Sequence, residues 1–271
     1  MPLLTRPDGV DLHWDERGEG ATVLMVPYWS GHPAVFEGLL SHLARDHRVA
    51  WYDARGTGES SPRGPYDMET DEADLEAVLE EVGGEAALIS IANGVNPAVR
   101  VAARRPDLAA GVLAMGSGPV ARAQIADGDS LIASDTVVDA FGEMLARDYR
   151  GALRTVLTAT NEQMTEEELR ERVSVQTSYC PQEAAVARVR AWADDDPLEA
   201  ATRLGDRLWI LTAPGAAGPW LPPLEETRRM VEEQMPEARL IVLEREEGAV
   251  SRPDLTANLV RQITAQLRAA R

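Results

Sequence analysis

Few side chains in this sequence are of the types that attack or move a proton near neutral pH. The 271-residue chain has one cysteine, four histidines and no lysine. Schiff-base chemistry is therefore excluded. Cys180, within Ser178-Tyr179-Cys180-Pro181, falls at an expected helix start, where a thiolate is favoured. No histidine is suggested nearby, so it reads as a packed thiol. His32, between Gly31 and Pro33, could serve as a base or donor near neutral pH, against the plainer reading of a structural or exposed ring. Glu246 and Glu247 are adjacent carboxylates. Desolvation would raise their pKa values and make either an acid or base, whereas on an acidic surface they are a solvated pair. The histidine, cysteine and acid spacings form no metal motif. Asp53–Ser60 is glycine-rich but lacks the Gly-Lys-Ser/Thr of a phosphate loop. No metal and no cofactor are expected.

The elements that position such groups centre on Ala87 to Pro106. An apolar run (Ala87, Leu88, Ile89, Ile91) meets a turn, Ala92-Asn93-Gly94, and then a helix-period pattern through Ala98, Val101 and Ala102. This strand, sharp turn and helix resembles the nucleophile elbow of the α/β-hydrolase family, Gly-x-Ser-x-Gly. Ser90 takes the first Gly, Ala92 the nucleophile and Gly94 the last Gly. The loop Asp53-Ala-Arg-Gly-Thr-Gly-Glu-Ser60 is a second resemblance, to the loop that braces the elbow in that family. The resemblance implies an α/β fold: a mostly parallel central sheet with helices on both faces, and a helical cap inserted after the strand near residue 115.

The family's hydrolysis needs a nucleophile, an acid and a base, in the order Ser, Asp or Glu, His. Ala92 cannot attack. The acid's loop is Ala213-Pro-Gly-Ala-Ala-Gly-Pro-Trp220, without a carboxylate, and the alternative place, Gly116-Ser-Gly-Pro119, has none. The base's turn is Glu244 to Pro253, where the His position falls on Ala249 or on Glu246 to Gly248. All four histidines (His13, His32, His42, His47) lie in the first fifth of the chain. An engineered Ser-to-Ala trap would have kept the other two members. Losing one triad member costs about 10⁶ in rate at the worst positions, roughly 8 kcal/mol of barrier. With all three gone, about 10³ to 10⁴ over water remains.

The loop that supplies one oxyanion donor also departs from the family's His-Gly, reading Pro27-Tyr28-Trp29-Ser30-Gly31-His32. By the resemblance, Tyr28, Trp29, Ala92, Asn96 and Trp220 line the pocket, with His32, Asn93 and Glu247 as the candidate catalytic groups. The backbone N–H of Asn93 is the donor that elbow geometry preserves.

In chain order, Val10–Trp14 and Thr22–Val26 read as a hairpin opening the sheet. A helix at 34–45, a strand at 48–52 and a helix at 71–82 ended by Gly83-Gly84 follow. After the elbow come a strand at 110–115 and helices only from about 120 to 205. A strand at 207–212, a helix at 222–235, a strand at 239–243 and an amphipathic helix at 253–270, with Leu255, Leu259, Ile263 and Leu267 on one face, complete the pattern. The implied division is a core of 1–119 and 206–271 with a cap of 120–205. A net charge of −18 disfavours nucleic acid and anionic membranes. No apolar run reaches the length of a membrane span, and the N-terminus lacks a signal-peptide core. The expectation is a cytoplasmic protein, with a homodimer left open.

Fold retained and triad lost point to non-hydrolytic chemistry on a hydrophobic small molecule. Cyclisation, isomerisation, elimination or rearrangement in specialised metabolism would fit. An inactive ligand-binding or regulatory pseudohydrolase is the alternative. A third is a hydrolase with an unconventional nucleophile at Ser90, Ser117 or Cys180.

Overall fold

Leu24, Val49, Ala50, Leu88 and Val112 are fully enclosed. Strands covered on both faces belong inside a parallel sheet flanked by helices. The computed structural model of the protein describes residues 2–116, 118–119, 135–160, 164–213, 224–243 and 252–269. Its sheet contains β1 (Leu3–Thr5), β2 (Asp11–Arg17), β3 (Ala21–Met25), β4 (His47–Tyr52), β5 (Ala86–Ile91), β6 (Ala109–Met115), β7 (Leu208–Thr212) and β8 (Arg239–Val242). The spatial order is β1-β2-β4-β3-β5-β6-β7-β8. β2 pairs antiparallel with β1 and with β4; the remaining pairs are parallel.

The expected hairpin between the first two apolar runs does not form. β4 lies between β2 and β3, because the crossover from β3 through the helix Glu37–Leu43 lays β4 parallel along that edge of β3. The connection crosses beneath the start of β4 on Gly18, whose φ of +76° suits glycine. A Cβ there would come within 2.3 Å of the His47 carbonyl oxygen.

Helices α1 (Glu37–Leu43) and α10 (Pro253–Ala269) cover one face. On α10 the buried side is Ala257, Val260, Ile263 and Leu267, while Leu255, expected on the apolar face, is 42% exposed. Helices α2 (Met68–Val82) and α3 (Val95–Arg104) cover the other face. α2 opens with Asp67 capping the Thr70 N–H and ends on Gly83 in the left-handed region, as the Gly-Gly pair predicts.

Four further helices, α4 (Asp135–Arg147), α5 (Tyr149–Thr160), α6 (Glu166–Tyr179) and α7 (Gln182–Ala193), close an apolar cluster of their own around Leu145, Leu153, Leu169, Val173 and Val189. α6 begins with a full capping box between Thr165 and Glu168. Helix α8 (Leu198–Leu204), within the expected cap range, packs instead on α3, with Ala201 and Leu204 in the sheet's apolar cluster. Helix α9 (Leu224–Gln234) buries Met230 and Val231 in that cluster too. The chain leaves β3 for β4 on one side and later returns to pair β5 on the other. Such a switch point opens a crevice at the C-terminal strand ends, where α/β sheets place ligands.

Candidate functional site

The elbow stands at that crevice. β5 ends at Ile91, a 3₁₀ turn takes Ala92–Gly94, and α3 starts at Val95. Ala92 has a φ of +48°, the left-handed conformation that the sharp strand-to-helix turn imposes on its central residue. Gly94 is required by close approach, since a Cβ would lie 2.4 Å from the Pro27 carbonyl oxygen. Ala98, Val101 and Ala102 behind it are fully buried. Ser90, a candidate alternative nucleophile, is enclosed.

Asn93 links the elbow to the loop after β3. The backbone N–H of Trp29 donates to Asn93 Oδ1 at 2.8 Å. A backbone N–H can only donate, so the side-chain oxygen must face it, leaving the amide NH₂ as the donor end. In this fold the oxyanion site combines the N–H after the nucleophile with an N–H from this loop. The chain itself occupies the Trp29 N–H.

The other expected site residues divide. Trp29 stands edge-on to Phe141 of α4 with ring centroids 5.7 Å apart, and its carbonyl accepts from Cys180 Sγ at 3.3 Å. Tyr28 lies against Gly31 and Phe36, and Gln176 Nε2 is 3.4 Å from its hydroxyl oxygen. Burial pushes the Tyr28 phenol up to about 12. His32 meets the Tyr179 ring edge-on at 4.7 Å. Burial lowers its pKa, opposed in part by the charge of Asp53. Asn96 is buried and donates through Nδ2 to Asp195 Oδ2 at 2.8 Å, beside the Arg100–Asp195 pair. It joins α3 to the segment after α7. Cys180 sits where α6 ends and α7 begins, at the C-cap of α6 and one residue before Pro181, the N-cap of α7, and burial raises its thiol to about 11, as in a packed thiol. Ser117, Trp220, Glu246, Glu247 and Ala249 lie outside the described residues.

The Asp53 loop is tied to β2 through His13 and to α6 through Tyr179. Asp53 Oδ2 is 2.9 Å from His13 Nδ1 and accepts from the Glu59 N–H at 3.0 Å; Oδ1 accepts from the Tyr179 hydroxyl at 2.6 Å. The Gly58 N–H donates to the Tyr179 carbonyl. The sequence reading missed Tyr179 and Arg188. Arg188 projects from α7 into a small enclosed space at the ends of β3, β4 and β5 that also touches Tyr28, Tyr52, Asp71 and Asn93. A signal was present: residues 184, 185, 188 and 189 form the buried stripe of α7, and an arginine occupies one place in it.

Among the described residues, no group of three or more His, Cys, Asp or Glu is placed to hold a metal ion. No helix among them is long and apolar enough to cross a membrane.

An eight-stranded sheet of this order, with an intact elbow beneath helices inserted after β6, defines the α/β-hydrolase architecture. The family model for the alpha/beta hydrolase fold matches residues 21–173, and the chain belongs to that family. Over 151 residues it is 27% identical to a pimeloyl-[acyl-carrier protein] methyl ester esterase of Nitrosomonas europaea, covering 54% of this chain and 56% of the relative. Over 106 residues it is 34% identical to the polyketide synthase ThaQ of Burkholderia thailandensis, covering 38% of this chain and 5% of that protein. The chain thus spans a small part of one curated relative and about half of the other. An esterase from Exiguobacterium antarcticum superposes with a TM-score of 0.78 at 18% identity, over 98% of either chain, a likeness of fold.

Proposed function

We propose that this chain is a non-hydrolytic enzyme of the α/β-hydrolase fold that acts on a hydrophobic small molecule held against the elbow. The observation that carries the reading is the 2.8 Å bond from the Trp29 N–H to Asn93 Oδ1, beside an alanine at the nucleophile position. Acyl transfer needs an attacking group and two free donors for the oxyanion. Here the attacking group is a methyl and one donor already has an acceptor. Hydrogen bonding and the shape of an aromatic-lined site remain, which suits cyclisation, isomerisation, elimination or rearrangement. The partial match to a polyketide synthase supports a role in specialised metabolism. The same Asn93 bond also favours a second reading, a pseudohydrolase that binds its ligand without turnover, because it removes a donor.

The test incubates the protein with candidate polyketide-type intermediates and follows the products by mass spectrometry. An isomeric or dehydrated product formed by the wild type supports the enzyme. Tight binding without conversion leaves the pseudohydrolase. Ester hydrolysis abolished by Ser90→Ala, Ser117→Ala or Cys180→Ala overturns both.

A further inference from the structure

Arg188 lies on the core-facing side of α7, between the buried Ala185 and Val189, and its side chain is 2% exposed. A cation so enclosed needs acceptors for its five N–H groups. Nε is 3.0 Å from Asp71 Oδ2, and Nη2 is 3.1 Å from Asp71 Oδ1 and 2.8 Å from the Arg55 carbonyl oxygen. The guanidinium also lies 5.3 Å over the Tyr66 ring. These contacts fasten the cap to the core. Nη1 stands apart, having no hydrogen-bond partner among the described residues. A buried charged donor without an acceptor is destabilising, and this one belongs to the residue lining the enclosed space beside Asn93.

We infer that Arg188 Nη1 receives a neutral acceptor oxygen of the ligand, the carbonyl of a ketone, ester or amide, next to the elbow. The inference rests on the function proposed above, in which a hydrophobic ligand sits there. The space is ≈ 10 Å³, about one oxygen-sized centre, so only the tip of a functional group enters. Asp71 lines the same space and already neutralises the guanidinium. A carboxylate or phosphate would meet a like charge at close range, whereas a carbonyl would not. A charged donor also polarises a carbonyl more strongly than a neutral N–H does. Arg188 thereby takes the place of the Trp29 N–H that Asn93 occupies.

The test uses three probes on the full chain: 2-acetylnaphthalene, its hydrocarbon isostere 2-isopropenylnaphthalene, and 2-naphthoate. Affinities are measured by calorimetry for the wild type and Arg188→Met. The ketone should bind the wild type at least about tenfold more tightly than the hydrocarbon, with 2-naphthoate no tighter than the hydrocarbon. In Arg188→Met the ketone and hydrocarbon should agree within about twofold, with hydrocarbon affinity unchanged. Equal binding of the two neutral probes to the wild type, a ketone preference that survives in Arg188→Met, or tightest binding by 2-naphthoate overturns the assignment. Hydrocarbon binding reports separately on the hydrophobic site: if neither neutral probe binds, the proposed function falls with the inference, whereas equal binding removes Arg188 alone. Should Arg188→Met fail to fold, the infrared carbonyl stretch of the bound ketone decides in the wild type. A frequency below that in an apolar solvent supports the assignment, and an unchanged frequency overturns it.

Discussion

Replacing Asn93 by alanine tests the bond on which the site is built. In the wild type the Trp29 N–H donates to Asn93 Oδ1 at 2.8 Å, and Asn93 is 3% exposed. Asn93→Ala removes the acceptor and leaves a partly buried backbone donor and a small void. A lost hydrogen bond with its donor left in place costs about 1–2 kcal/mol at such a position. For a chain of this size that lowers Tm by roughly 2–6 °C. The local effect is more diagnostic. Hydrogen exchange at the Trp29 amide should accelerate by about 5- to 30-fold, the same free energy expressed as an opening equilibrium. Asn93→Asp keeps an acceptor and should preserve the protection of that amide, whatever it does to overall stability. An Asn93→Ala variant with Tm within about 1 °C of the wild type and an unchanged Trp29 exchange rate would show that this bond does not hold the loop.

Three other outcomes follow from the geometry. Gly94→Ala forces a Cβ to 2.4 Å from the Pro27 carbonyl oxygen, and since neither backbone can yield, urea denaturation should show a loss of about 3 kcal/mol; a loss below about 1 kcal/mol would mean a looser elbow. Cys180, with its thiol raised to about 11, should react with a disulfide reagent at pH 8 roughly 100-fold more slowly in the native protein than in urea, from its thiolate fraction alone; comparable rates would count against its burial. For His32, burial holds the ring below its ordinary value of 6.5, so the unfolded chain takes up the proton more readily. Its contribution to stability is present above pH 6.5 and declines as pH falls through the lower folded value. An NMR titration midpoint below 6.5, with His32→Gln losing less stability than the wild type between pH 7 and 5, is the expected result, and a midpoint at or above 6.5 contradicts it.

The fold was legible where one local pattern admits one outcome. The run 87–91 followed by the 98/101/102 spacing reads as strand, turn and helix, and the described part of the stretch from about 120 to 205 is helical without a strand, as its pattern predicts. The failure at β2 and β3 has a physical origin. Alternation identifies a strand but not its neighbour, and here the β3–α1–β4 crossover placed β4 on the edge of β3 that β2 would have needed. The same limit applies to the site. The placement of Asn93 at the elbow could be read from spacing, but the direction of its side chain could not. Arg188 and Tyr179 reach the crevice only because α6 and α7 pack over it, through contacts 117 and 126 residues apart in the chain.

The elbow's strain gives a reason why it outlasts the chemistry it serves in hydrolases. A left-handed alanine costs on the order of 1 kcal/mol, and without a nucleophile no catalytic return offsets it. Two structural ones do. The turn brings Gly94 against the Pro27 carbonyl, allowing α3 to bury Ala98, Val101 and Ala102, and it swings Asn93 across to the Trp29 N–H. Relaxing Ala92 would break that bond and the packing behind it together. Residue 92 can therefore exchange serine for alanine without loosening the site, whereas residues 93 and 94 cannot change freely. Functional constraint in this chain has moved from the residue that would attack to the two that follow it.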